Sequence, residues 1–197
     1  MRKRKTDSEA SLAGLCRKAK ELGAAAAAIL KTADITVDER AALKCQVPLC
    51  AHYGVDLMCP PNVIPAAQFK EVLKCYQNAV LVKVDIPPHD WSIIPVAEQQ
   101  KMTREAKKKL HGIVAQLESF CLKEGQYFAA GLVGGSCCLC KKCVGVKSGL
   151  PCRHPFQARP AMEAVGIAVL ATAEKVGWDL GFGENTGRSW VGLVLVS

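Results

Sequence analysis

Within the last third of this 197-residue chain, Cys137, Cys140, Cys143 and Cys152 follow the spacing Cys-x2-Cys-x2-Cys-x8-Cys, among Gly135, Ser136, Lys141 and Lys142. The segment's Gly, Ser and Lys residues are not core-like, which argues against reduced core cysteines without a metal. Three thiolates inside seven residues can curl around a bulky cubane, because each meets a different iron. Zinc asks its thiolates to converge on one point, usually from two separated pairs, and this spacing suits it less well. The expectation is a closed 4Fe-4S cluster on these four cysteines, with zinc as the alternative metal. Lys141, Lys142, Lys147 and Arg153 would offset the net negative charge of such a centre and raise its potential.

A second group, Cys45-x4-Cys50-x8-Cys59-Pro60-Pro61, lies in an aperiodic stretch rich in Pro, Cys and Gly, with His52 and Tyr53 inside it. Three cysteines are one short of a closed site. A cubane held this way leaves one iron with an exchangeable position for substrate, water or sulfide, which suits Lewis-acid or sulfur-transfer chemistry. His52 is the nearby residue able to close it. The chain is long enough to bury a core without staples, and its eleven cysteines are odd in number and too sparse for a disulfide scaffold. Clustered thiols of this kind point to a reducing, cytoplasmic setting.

Around these loops the pattern is α/β. Leu12, Leu15, Cys16, Ala19, Leu22, Ile29 and Leu30 fall at helical spacing and predict one amphipathic helix over residues 8–30. A helix is expected to start at Pro65, with Phe69, Val72, Leu73 and Tyr76 inward, and a strand over 79–86 to end at Pro87-Pro88. Ala106, Leu110, Ile113, Val114, Leu117 and Cys121 mark the inner face of a long helix, with Lys101, Arg104, Lys108 and His111 opposite and Gly125 as its stop. A strand over 127–133 follows, and strand, helix, strand favours a parallel pair with a right-handed crossover. A helix over 160–176 stopped by Gly177, and a strand over 190–196, complete the chain. The fold class is α/β, a small mixed sheet with flanking helices and cysteine-rich loops. Residues 1–197 read as a single α/β metal-binding domain, with a helical extension over 1–32 and cysteine loops at 45–61 and 135–155. Residues 181–187 superficially suggest a phosphate loop, but their spacing is wrong for the dinucleotide fingerprint and they read as a turn.

The net charge of +8 sits partly in residues 2–5 and 107–109, blocks that usually form solvated faces. Without interleaved aromatics it argues for an acidic redox or sulfur-transfer partner protein, or a small anionic substrate, ahead of nucleic acid. No apolar stretch approaches the roughly 18 residues of a membrane span, so no membrane partner is expected. Arg153, His154, Arg159 and Glu163 lie close to Cys152 in sequence and are candidates, with His52, to line a pocket.

Cys45-x4-Cys50, Tyr53-Gly54, Cys59-Pro60-Pro61, Gly135-x-Cys137-x2-Cys140-x2-Cys143, Cys152-Arg153-x-Pro155 and Arg159-Pro160-x-Met162-Glu163-Ala164-x-Gly166-Ile167 together resemble the predicted metal-binding proteins of domain-of-unknown-function family 2284. The resemblance covers residues 34–177. It implies a metal-binding, iron-sulfur protein with no activity to carry over, and it supports seven ligands, Cys45, Cys50, Cys59, Cys137, Cys140, Cys143 and Cys152. Cys138 lies outside the pattern, as a spare thiol or a competitor of Cys137, while Cys16, Cys75 and Cys121 read as packing residues. Two readings stay open: an iron-sulfur protein of redox or sulfur-transfer chemistry, or a non-enzymatic zinc or iron-sulfur scaffold, metal carrier or assembly module docking on a partner enzyme.

Overall fold

The structure is a computed structural model that describes residues 3–87, 90–180 and 187–197, with residues 3–10 described by their backbone alone. Its centre is a pair of long strands, β2 (Asn78–Ile86) and the carboxy-terminal β4 (Arg188–Val196), aligned antiparallel from Asn78 opposite Val196 to Ile86 opposite Arg188. β1 (Ala26–Lys31) pairs with the outer edge of β2 and β3 (Ala130–Val133) with that of β4, giving the order β1-β2-β4-β3 with every pairing antiparallel.

Alternation along the strands feeds two cores. Val80, Val82, Val84, Ile86, Val194 and Val196 meet α1 (Lys3–Glu21) and α4 (Val96–Lys123) through Leu12, Leu15, Ala19, Leu110, Ile113, Val114, Leu117 and Cys121. Ala79, Leu81, Val191, Leu193 and Leu195 point the other way. They meet Phe69 and Leu73 of α3 (Ala66–Leu73), Val165 of a 3-10 turn at Glu163–Val165, and Ala173 of α5 (Val169–Glu174). Because both faces are covered, β2 and β4 are nearly uninterrupted apolar runs. The short α2 (Glu39–Leu43) leads into the first cysteine loop, its amino end capped by the Asp38 carboxylate, which accepts from the Arg40 backbone N–H. The guanidinium of Arg40, hydrogen-bonded to the same carboxylate, holds it down at about 2.

The α/β class is observed, with several departures in detail. The helix expected over 8–30 ends at Glu21, and residues 26–31 of the expected helical extension form β1. The alanines favour helix, but pairing with the edge of β2 outweighs that preference. The expected helix over 160–176 is broken, because Gly166 adopts φ +86 and Ile167 pairs with Val37, leaving a 3-10 turn and α5 on either side. The strand expected over 127–133 starts at Ala130, with Tyr127 and Phe128 exposed. β2 and β3 do run parallel, but they make no contact as a pair, since β4 is inserted between them. His111, placed on the solvent face by its spacing, is fully buried. Residues 181–186 of the glycine-rich turn lie outside the described residues.

Candidate metal centre

Both cysteine loops gather at the carboxy-terminal end of β3. Past Val133, the Gly134 N–H donates to Val191 O at 2.7 Å, and Gly135, at φ +72, turns the chain out into the 135–155 loop. A side chain on Gly135 would meet the Trp190 ring at 2.8 Å and Lys107 Nζ at 3.2 Å, so only glycine lets the loop start this close to both. The Gly135 N–H donates to the Glu163 carboxylate at 2.9 Å, and the Arg104 guanidinium donates to Cys140 O. The 45–61 loop is laid against this end by two backbone bonds: Val146 N–H to Val55 O, 3.2 Å, and Ala161 N–H to Met58 O, 3.1 Å.

Two neighbouring clefts result. A larger one, of about 1370 Å³, is lined by Cys45, Cys50 and Cys59 together with Glu163, Trp91 and Trp190. A smaller one, of about 840 Å³, is lined by Cys137, Cys138, Cys140, Cys143 and Cys152 with Asp56, Arg104, Lys107 and His154. His52, Ser136 and Arg188 line both, so the two cysteine groups are next to each other across a shared wall. All eleven cysteines are free thiols.

Electrostatics at this wall centre on Lys107. It is only 5% exposed, its Nζ donates to Ser136 Oγ at 3.1 Å and lies 4.8 Å from the centroid of the Trp190 ring, and among the described residues no carboxylate pairs with it. Burial pushes the Cys59 thiol up to about 12, with Asp56 and the neighbouring Cys45 and Cys50 adding to the rise and Lys107 opposing it. Cys137 is pushed up to about 11, again by burial first, with an opposing hydrogen bond from the Leu139 backbone and further increments from Cys138, Cys152 and Cys140. Cys45 is raised by burial and then by Cys50 and Glu163. Closely spaced thiols of this kind hold their protons until a cation takes them over, so metal loading releases protons.

Of the five polar residues expected at a pocket, the structure gathers three. His52 lies on the shared wall, with Nδ1 2.5 Å from Asp56 Oδ2; His154 lines the smaller cleft, its backbone N–H 3.3 Å from Cys152 Sγ; Glu163 lines the larger. Glu163 sits in a 3-10 turn and spends one carboxylate oxygen on Gly135, which makes it a brace for the start of the cysteine loop. Arg153 and Arg159 line neither cleft. Arg153 donates to Lys142 O at 3.0 Å and ties the two ends of its own loop, while Arg159 is committed to the Glu118 carboxylate in a largely buried ion pair. Sequence proximity to Cys152 misplaces Arg159 because the backbone turns at 154–158, where the N–H groups of Gln157 and Ala158 both return to His154 O. Cys138 lines the smaller cleft and donates to Ser136 O at 3.5 Å; Cys121 is a buried packing residue and Cys16 a half-buried one, but Cys75 is exposed just past α3 and packs against little.

Lys107, Ser136 and Trp190 were not among the expected site residues. One signal was present: Lys107 precedes His111 and Val114 by one and two turns, beside the apolar stripe of α4, so a wider buried face would have included it.

An α/β core that holds eight thiols in two touching clefts defines a cysteine-site protein in which the donors are carried by loops and braced by a helix. Among the described residues no three His, Cys, Asp or Glu side chains are gathered tightly enough to hold a metal ion as they stand. The donor chemistry nonetheless fits a soft metal or an iron-sulfur centre, with thiols lining two clefts that share a wall and a buried cation bonded to Ser136 of that wall. The model of the predicted metal-binding protein family DUF2284 matches residues 28–196, and the chain belongs to that family. No curated protein and no solved structure matches it. No helix among the described residues is long and apolar enough to cross a membrane.

Proposed function

We propose that this is a cytoplasmic iron-sulfur protein. Cys137, Cys140, Cys143 and Cys152 hold a closed 4Fe-4S cluster, and Cys45, Cys50 and Cys59 hold a second, reactive one facing the larger cleft. The observation that carries this reading is the adjacency of the two thiol groups across a shared wall, with Lys107, a buried cation that pairs with no carboxylate among the described residues, lining the smaller cleft and bonded to Ser136 of that wall. A buried ammonium is costly without a counter-charge, and an anionic metal-thiolate centre supplies one.

When bound, such clusters supply electron transfer at the four-cysteine site and a Lewis-acidic iron at the three-cysteine site. The residues do the rest. Lys107 and Arg104 steady the wall and the loop between the groups, and Glu163 holds the turn that aims the second loop. Trp91 and Trp190 give the larger cleft two aromatic walls, and Arg188, with its guanidinium 3.9 Å from the centroid of the Trp91 ring, offers a positive charge at the wall shared by both clefts. That combination suits a small anionic substrate with an apolar body. Cys137→Ala and Cys59→Ala, purified without oxygen, test the two-site assignment. Each is expected to lose its own share of iron and leave the other's absorption and paramagnetic signals in place; a single variant that removes all iron would argue for one composite cluster instead.

The alternative, a non-enzymatic zinc or iron-sulfur module that docks on a partner enzyme, draws on exposed apolar side chains within the cysteine loops: Val47 and Leu49 in the first, Leu150 in the second, with Phe156 just beyond it. It predicts stable complex formation with a partner and no turnover by the loaded protein alone.

A further inference from the structure

We propose that His52 Nε2 is the fourth ligand of the three-cysteine site, an inference that rests on the iron-sulfur reading above. The first observation is placement. His52 lines the larger cleft together with Cys45, Cys50 and Cys59, in a turn where the Tyr53 N–H donates to Cys50 O and the Asp56 N–H to His52 O. The second is orientation. Nδ1 lies 2.5 Å from Asp56 Oδ2, and the Asp56 side chain is only 11% exposed, against 44% for His52.

A carboxylate at that distance can only accept, so the proton of the neutral ring sits on Nδ1 and the lone pair is left on Nε2. Among the described residues Nε2 has no hydrogen-bond partner. A histidine whose one nitrogen donates to a buried carboxylate, while the other has no partner among the described residues, in a cleft lined by three thiols, has the arrangement of a metal ligand with its outer partner. The pair also explains a costly feature of the loop: Asp56 buries a carboxylate near Cys59, where it pushes that thiol up, and orienting His52 is what it contributes in return.

An imidazole in place of a fourth thiolate makes the centre one charge less negative and raises its potential. It also makes the fourth position neutral and exchangeable, so His52 is the ligand a substrate would displace.

The test uses the full chain carrying Cys137→Ala, so that only the amino-terminal cluster remains, loaded with iron(II) and sulfide and then reduced. Pulsed electron paramagnetic resonance is expected to show a directly coordinated nitrogen, and labelling the histidines with nitrogen-15 should shift its frequencies. His52→Ala should abolish the coupling. His52→Cys should keep the iron content, lose the nitrogen signal and lower the reduction potential, which separates ligand loss from misfolding. Iron and sulfide bound in full at Cys45, Cys50 and Cys59 without any nitrogen coupling would overturn the inference while leaving the iron-sulfur reading intact. If Cys59→Ala releases no iron from the wild-type chain, both fall.

Discussion

A buried lysine is an expensive residue, and Lys107, which pairs with no carboxylate among the described residues, is tolerated because Ser136 and the face of Trp190 share its charge until an anion arrives. Lys107→Met should therefore leave the metal-free protein at least as stable, with a gain of about 1 kcal/mol, while lowering the iron retained per chain. Urea denaturation of the stripped protein and iron analysis of the loaded one measure the two effects separately. One turn on, His111 is fully buried, with Nδ1 3.2 Å from Gln157 O and Nε2 unpartnered among the described residues, and burial holds its pKa down at about 4. The unfolded chain then binds the extra proton first, so stability is complete above about pH 6.5 and falls as the pH drops toward 4, by up to about 3 kcal/mol. His111→Gln should flatten that slope in metal-free denaturation curves. Spacing shows the one apolar stripe of α4 and not its second buried side, where His111 meets the Gln157 carbonyl. The thiols were legible because their chemistry lies in their spacing.

At the scale of elements, α4 does more than fill a core. Glu118 on its inner flank accepts from the Gly131 N–H at 2.7 Å and pairs with Arg159, joining helix, edge strand and the segment after the second cysteine loop. With both side chains only 16% and 17% exposed, removing one strands the other in a poorly solvated place. Glu118→Ala is expected to cost about 3 kcal/mol in thermal or chemical unfolding, and Arg159→Ala a similar amount, with the metal content of the folded fraction unchanged. A loss of metal without a loss of stability in Arg159→Ala would return that residue to the site. β2, β4 and α4 were plain in the sequence because burial on one or two faces writes a period or a continuous apolar run. β1 and the 160–176 segment were not, because edge pairing and one glycine with positive φ decided them against helix-favouring composition.

For the whole molecule, the order β1-β2-β4-β3 puts the last strand of the chain at the centre and leaves the carboxy-terminal end of β3 free to launch the 135–155 loop. No local pattern reveals that insertion, as it depends on which strand buries the most surface on both faces. The two cores are complete without either cysteine loop, whereas the loops touch each other through few backbone bonds. Chelation should then leave the sheet folded by circular dichroism while opening residues 45–61 and 135–155 to limited proteolysis, mapped by mass spectrometry. The central claim concerns what the thiols hold, and the direct measurement is iron, acid-labile sulfide and zinc per chain after purification without oxygen. The account predicts iron matched by sulfide at about eight of each for two cubanes. Zinc at stoichiometric amounts without sulfide would contradict it.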